Sequence, residues 1–168
     1  FMISEDFILK TCLVLFCPNI KFNIKNFDVN SVRQFADNWD RIRNSIIAVF
    51  KLLEIWGFND STLRAKNAVI PLIYYVYHRH IENDLLKKTW NPEDKVLMRK
   101  WLCIALLKGI FGGQTDSILT KLRNVIENRK NAEQFPLKEI IEDFKGQDRN
   151  FNFSDDFIEN VLTTQKDD

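Results

Sequence analysis

One long run of apolar residues at helical spacing constrains the fold of this chain more than any other feature. Between residues 32 and 53 these side chains recur every three or four positions, as expected for a helix with one buried face: Val32, Phe35, Trp39, Ile42, Ile46, Phe50 and Leu53. Asn30 or Ser31 can cap the start, and Gly57 follows the last turn as a helix-ending glycine would. We expect one amphipathic helix of about six turns here.

The remaining apolar segments also predict helices. Ser4 is a good N-cap for a first helix, which Pro18 ends. Residues 68–77 are apolar on nearly every side, which is compatible with a central helix or with a buried strand. Asn67, as a cap, and the helical pattern after residue 77 favour the helix. Asn91 followed by a proline and two acidic residues is a strong start for another helix.

Two more helices are expected at about 116–128 and 136–144, and a last short one from Ser154. Five glycines and four prolines are too few for a turn-dense β fold. The sequence therefore predicts an all-α protein, a single compact orthogonal bundle of about six to eight helices. We divide it into a helical subdomain, residues 1–146, and a short C-terminal helix and tail, residues 147–168.

Charge and cysteine content narrow the class of protein. The 24 basic and 23 acidic residues nearly cancel, which argues against a protein that coats nucleic acid by bulk electrostatics. Three cysteines, an odd number, argue against a disulfide framework and fit a reducing cytoplasm. No apolar run reaches the roughly 18 residues of a membrane span, so we expect a cytoplasmic protein without membrane contact.

Local clusters of basic residues are candidates for nucleic-acid contact. Arg79, Lys87 and Lys88 lie near Trp90 in the sequence, and a later helix carries Lys121 and Arg123. Basic side chains beside an aromatic ring can follow a phosphate backbone. Interleaved acidic residues leave open the alternative of ordinary solvated faces.

The glycine-rich turn at residues 112–116 is a second candidate. Gly112 and Gly113 precede a helix, and such turns can hold phosphate on exposed N–H groups. A nucleotide-binding loop would need a lysine followed by serine or threonine, which is absent, and Asp116 would repel an anion. A packed turn, capped by Thr115 or Asp116, explains these residues more simply.

No catalytic or metal-binding residue is assigned. His78 and His80 are the two histidines, and their i, i+2 spacing places them on different helix faces, whereas a helical zinc pair needs i, i+4. Neither has a nucleophile nearby in the sequence. We therefore expect no metal, no cofactor and no catalytic centre in this chain.

Several ordered blocks resemble a known family. The segments ISEDFILKTCLVLF, IKNF, NWDRI and LLEIWGF, then LRAKNAVIPLIYYVY (Leu63 to Tyr77) and RKWLCIALLKGIFGGQTDSILTKLRNVI (Arg99 to Ile126), are similar to the helical C-terminal half of the GmrSD-type restriction endonuclease domain. The similarity covers about residues 3–145. In that family the chemistry is attributed mainly to an upstream ParB-like half with an Asp-Gly-Gln-Gln-Arg motif, which this chain lacks, so no catalytic residue is carried over.

The resemblance implies a supporting role in a nucleotide-dependent, modification-dependent restriction protein of phage defence. The resemblance implies that the chain would brace the ParB-like nuclease half of the same protein, face DNA and self-associate. Its start, Phe1-Met2-Ile3, suggests either a piece cut from a longer protein or a cloning remnant. Two alternatives remain: a stand-alone helical module that binds a protein or nucleic-acid partner, and an independent helical enzyme, against which the missing motif argues.

Overall fold

Seven α-helices and two short 3-10 helices make up residues 1–146, which are the residues that the computed structural model describes. In chain order the α-helices are α1 (Glu5–Phe16), α2 (Val29–Asp37), α3 (Trp39–Ile55), α4 (Ile70–His78), α5 (Pro92–Leu107), α6 (Thr115–Asn128) and α7 (Leu137–Asp143). The 3-10 helices are Ile24–Asn26 and Lys66–Val69. No strand occurs within these residues, and the predicted all-α bundle is confirmed.

Helix α4 lies at the centre of the bundle. Every residue from Ile70 to Tyr77 is buried, and α4 contacts α1, α3, α6 and the 3-10 helix that precedes it. A helix that is apolar on all sides needs neighbours on all sides. The strand alternative for this segment is therefore wrong. Asn67 lies inside the 3-10 helix and makes no side-chain cap for α4, contrary to the prediction.

The predicted six-turn helix is two helices, α2 and α3, interrupted at Asn38. The amide of this side chain donates to the Gln34 carbonyl at 2.9 Å, and its Oδ1 accepts a hydrogen bond from the Tyr77 hydroxyl at 3.1 Å. A short polar side chain that bonds to nearby backbone competes with the helical ladder. The start also differs, because Asp28, rather than Asn30 or Ser31, caps α2 with a 2.7 Å bond from the Ser31 N–H.

Other helix ends follow their sequence signals. Ser4 and Asn91 cap α1 and α5 through side-chain oxygens, as predicted. Gly57 ends α3 with a φ of 87°, and the N–H of Phe58 reaches back to the Leu53 carbonyl at 3.0 Å. These are the bonds of a Schellman motif, whose left-handed residue is best served by glycine.

Helix α5 packs on the 3-10 helix before α4 and on α7. Its Trp101 is fully buried, and the indole N–H donates to the Ala68 carbonyl at 3.0 Å. The predicted helix from Ser154 lies outside the described residues, and the boundary at residue 146 stays a prediction. None of the helices within residues 1–146 is both long and apolar enough to cross a bilayer.

Candidate functional site

Arg79, a predicted nucleic-acid contact, is bound to the backbone of its own chain. Its guanidinium donates to the Ala132 carbonyl and lies 3.4 Å from the Glu133 carbonyl oxygen. It also lies 5.6 Å from the centre of the Tyr75 ring. Because residues 129–136 connect α6 to α7, these contacts fasten that connection to the end of α4.

Arg123 and Lys121, both on α6, also bind carbonyl groups at helix ends. Arg123 donates from Nη1 to the Cys17 carbonyl at 2.6 Å and from Nη2 to the Pro18 carbonyl at 3.0 Å, just beyond α1. Lys121 Nζ lies 2.6 Å from the carbonyl oxygen of Asp143 and 3.3 Å from its carboxylate, at the end of α7. Carbonyls at a helix C-terminus lack helical partners and attract cations. The two side chains thus join α6 to the ends of two other helices.

Lys87 and Lys88 are exposed and hold no helix in place. Lys87 pairs with Asp84 at 2.5 Å, with both side chains open to solvent, and such pairs contribute little stability. Trp90, the aromatic residue expected to work beside them, donates its indole N–H to Asp94 at 3.3 Å. Of the five candidate cations, these two lysines are the ones whose side chains are exposed and bind no backbone carbonyl of the bundle. Nucleic-acid binding by any of the five stays a prediction.

The turn at residues 112–116 forms two short-range backbone hydrogen bonds. The Gly112 N–H donates to the Gly109 carbonyl at 3.0 Å, and a Cβ at Gly112 would lie 3.3 Å from that same oxygen. The Gly113 carbonyl accepts from the Thr115 N–H at 2.7 Å. Two backbone N–H groups of the turn, those of Gly112 and Thr115, are therefore used in short-range bonds within the chain.

Asp116 binds a lysine rather than capping its helix. Its Oδ1 lies 2.7 Å from Lys10 Nζ, which also donates to the Ile20 carbonyl at 2.8 Å. Helix α6 follows Gln114 without a side-chain cap, so the prediction that Thr115 or Asp116 caps it is wrong. The physical reason is that Lys10, only 13% exposed, gives the carboxylate a stronger partner than backbone N–H groups do.

Asp94 forms a buried polar cluster that sequence reasoning missed. Its carboxylate accepts from the Phe135 N–H at 2.7 Å, from the Tyr75 hydroxyl at 3.1 Å and from the Trp90 indole at 3.3 Å. The residue is fully buried. The sequence marked Asp94 only as an acidic residue in the first turn of α5, and nothing in its spacing pointed to the three donors.

Burial raises the pKa of the Asp94 carboxyl above its ordinary value. The hydrogen bonds from Phe135, Tyr75 and Trp90 and the charge of Arg79 oppose this shift. Burial and the neighbouring carboxylate also raise the pKa of the Tyr75 hydroxyl. The cluster links α4, α5 and the segment before α7, and a carboxylate with all its donors inside the protein has a structural role.

A groove of about 470 Å³ between the start of α1 and residues 64–67 is a second feature that the sequence did not reveal. Lys10, Arg64 and Lys66 line it together with the half-exposed ring of Phe22. Lys10 is paired with Asp116, and Lys66 lies 2.6 Å from an Asp60 oxygen. Two of the three cations are therefore neutralised in place, and the groove offers an anion little net positive charge.

His78 is a packed side chain beside α6. Its ring lies 4.3 Å from the Tyr74 ring centre, and the Tyr74 hydroxyl donates to Glu127 Oε2 at 2.9 Å. The adjacent cavity measures about 10 Å³, which is at most the size of one water molecule. Within residues 1–146 no group of three or more His, Cys, Asp and Glu side chains is placed to hold a metal ion.

The pH dependence of stability should report on His78. Burial, chiefly, lowers the pKa of its imidazole below 6.5. The unfolded chain then takes up this proton more readily than the folded one, so stability present above about pH 6.5 is lost as the pH falls below it. We expect His78→Gln to reduce the loss of unfolding free energy between pH 8 and pH 5.5, measured by urea unfolding. The exposed His80→Asn is the control, and an equal reduction in both variants would contradict this assignment.

The polar side chains that looked functional in the sequence thus serve mainly to join helices. Arg79, Lys121, Arg123 and Asp116 each bind groups of this chain. Compared with known proteins, the chain matches no protein-family model and no curated protein sequence.

Proposed function

We propose that this chain is the helical subdomain of a modification-dependent restriction protein of the GmrSD type. Its role would be to brace a ParB-like nuclease half that lies upstream in the same protein. The chain would supply no catalytic residue. The parent protein would be the nucleotide-dependent endonuclease, and the ordered sequence blocks described above suggest this assignment.

One observation favours a bracing role over a DNA-reading role. Three of the five candidate cations, Arg79, Lys121 and Arg123, bind backbone carbonyls within the bundle. The contacts of Arg79 and Arg123 span 53 and 106 residues, and that of Lys121 joins the consecutive helices α6 and α7. A side chain committed to its own fold contributes little to a phosphate-binding surface, whose affinity depends on the number of cations that reach phosphates. Of the five candidates, Lys87 and Lys88 would then remain for a DNA-facing role.

A cleavage assay tests the proposal. Modified phage DNA and unmodified DNA would be incubated with the chain alone, and with the chain joined to the reading frame that precedes it, in the presence of nucleotide and Mg²⁺. We expect no cleavage by the chain alone and cleavage of modified DNA by the joined protein. Equal cleavage by the chain alone would refute the statement that it holds no catalytic centre.

A matched pair of variants separates the loss of a DNA contact from the loss of folding in that assay. In the joined protein, Lys87→Gln/Lys88→Gln should lower the affinity for DNA and leave the free energy of unfolding unchanged. The main effect of Arg123→Ala should be a lower free energy of unfolding. If the lysine pair has no effect on DNA binding, the bundle does not face DNA through this segment.

A stand-alone interaction module is the second candidate, because α2 and the residues before it expose apolar side chains. Ile24 is 87% exposed, Val29 74% and Val32 50%. Exposed apolar clusters mark contact surfaces more often than single exposed residues do. This alternative predicts a stable complex with a protein partner in the absence of any nuclease half.

A further inference from the structure

Helix α2 has an apolar side that is open to solvent within residues 1–146. Val29 is 74% exposed, Val32 is 50% exposed, and Ala36 is exposed as well. Their spacing of three and four positions places the three side chains on one side of the helix. This open side lies next to the side that packs on the bundle through Phe35, the buried residue of α2.

The open side belongs to the apolar pattern that the sequence places in the core. The pattern predicts Val32 and Trp39 on the same buried face as Phe35, whereas these two side chains are 50% and 40% exposed. The ring centre of Phe35 lies 5.9 Å from that of Phe16 and 6.5 Å from that of Phe27. These contacts use only part of the apolar pattern of α2. An uncovered apolar side of an amphipathic helix has the composition of a contact surface.

The spacing on this side is the spacing of two packed helices. Val29, Val32 and Ala36 alternate steps of three and four residues, as the seam of a helix pair does. Ala36 is small, and the distance between two packed helices depends on the size of the side chains at the contact. The seam therefore fits a single helix of a partner.

Charges beside the seam indicate which helix fits it. Arg33 and Asp37 each follow a seam residue by one position, so they lie on the same flank of the seam, and both are exposed. Asp28 lies on the other flank, in the row of Phe35, and caps the start of the helix. One flank of the seam thus carries a cation and, one turn later, an anion.

A second copy of α2 that runs in the opposite direction matches this order of charges. With a two-fold axis level with Gln34, Val32 of each copy faces Ala36 of the other, and Arg33 of each copy can reach Asp37 of the other. Every pair in a two-fold contact occurs twice, so two pairs of opposite charge would lie beside one apolar seam. In a parallel arrangement the two arginines would meet each other, as would the two aspartates.

We infer that two copies of this chain associate through an antiparallel contact of their α2 helices. The net charge of +1 gives little repulsion between the copies. Ile24, 87% exposed before α2, and Trp39, 40% exposed after it, add apolar area near the two ends of the contact. The inference rests on α2 alone and does not depend on the nuclease-related role proposed above.

Sedimentation equilibrium of the full chain at several concentrations measures this association. Because the contact involves one short helix per copy, we expect a reversible dimer of twice the 19.9 kDa of the single chain. Arg33→Asp gives the flank two anions and Asp37→Arg gives it two cations, so like charges meet across the axis in either variant. Each variant alone should dimerise about tenfold more weakly than the wild-type chain, or weaker still.

A mixture of the two variants makes the test specific. The anionic flank of Arg33→Asp meets the cationic flank of Asp37→Arg in a mixed pair, so dimers with one copy of each variant should return at about the wild-type strength. Lys51→Asp is the matched control, because it makes the same change of charge at an exposed position of α3. We expect it to dimerise as the wild-type chain does. Circular dichroism of each variant shows that the bundle is folded.

Any of three results would overturn the inference. A wild-type chain that stays monomeric at every concentration would assign the open side of α2 to a different partner. Dimers that are unchanged in Arg33→Asp and Asp37→Arg would place the contact elsewhere on the chain. A mixture of the variants that stays monomeric would show that the two flanks do not meet. The cleavage assay is independent of all three results, because it measures catalysis by the joined protein and not the mass of this chain.

Discussion

Replacing Asp94 by alanine is expected to lower the free energy of unfolding by about 3 to 5 kcal/mol. The substitution removes the single acceptor that serves the Phe135 N–H, the Tyr75 hydroxyl and the Trp90 indole. Each buried donor left without a partner costs about 1–3 kcal/mol. The loss is smaller than the sum of these costs because burying the carboxylate is itself unfavourable, as its raised pKa shows.

The neighbouring residue provides the control for this prediction. Glu93 is exposed on the same first turn of α5 and accepts one bond, from Gln134 at 2.7 Å. We expect Glu93→Ala to cost less than about 1 kcal/mol and Asp94→Asn, which keeps one acceptor oxygen, to fall in between. Urea unfolding followed by circular dichroism measures all three. A loss below about 1 kcal/mol for Asp94→Ala would show that the cluster does not hold α4, α5 and the segment before α7 together.

Arg123→Ala is expected to lower the free energy of unfolding by about 2 to 3 kcal/mol. Two charge-assisted hydrogen bonds to the Cys17 and Pro18 carbonyls would be lost, and these bonds are stronger than neutral ones. The connection between α6 and the end of α1 would be lost together with these bonds. A loss of unfolding free energy of this size would distinguish Arg123 from a surface cation that is free to bind a ligand.

Lys88→Ala is the matched surface substitution. Lys88 is exposed, and we expect its replacement to change stability by less than about 0.5 kcal/mol. Arg123→Lys should fall between the two, because one ammonium group cannot reproduce the geometry of a guanidinium fork. If Arg123→Ala and Lys88→Ala cost the same in urea unfolding, the structural role assigned to Arg123 is wrong.

The sequence predicted the helices where local signals act alone. Ser4, Asn91 and Gly57 mark helix ends through bonds to their own neighbours, and these predictions are confirmed. The buried helix α4 could be identified from composition, because a segment that is apolar on all sides lies in a core. Each of these inferences needs only residues within a few positions of one another.

Predictions failed where a distant partner decides the local structure. The continuous apolar pattern hid the break at Asn38, whose side chain accepts a hydrogen bond from the hydroxyl of Tyr77, 39 residues away. Asp116 looked like a helix cap until Lys10, 106 residues away, was seen to bind it. Spacing along a helix indicates which face a residue occupies, and it does not indicate which groups lie opposite that face.

The candidate cations show that the prediction of functional residues from sequence has the same limit. Arg79 and Arg123 stood out because basic residues cluster near them in the sequence. In the fold they bind carbonyls of residues 132 and 17, which are remote in sequence. Asp94, the most buried ionisable side chain within residues 1–146, carried no sequence signal beyond its place in a first turn. The missing information was the position of backbone carbonyls and N–H groups, which depends on tertiary structure.

A duplex-DNA titration over a salt series tests most directly whether the basic residues of this chain serve the bundle or a nucleic acid. For a protein that neutralises Z phosphates, the logarithm of affinity falls with the logarithm of salt with a slope of about −0.9Z. With Arg79, Lys121 and Arg123 committed to the fold, we predict no detectable binding, or weak binding to whose slope the five candidate cations contribute no more than about −2, as Lys87 and Lys88 would give. Micromolar affinity at low salt with a slope of about −4.5, the value for all five cations, would contradict the bracing role.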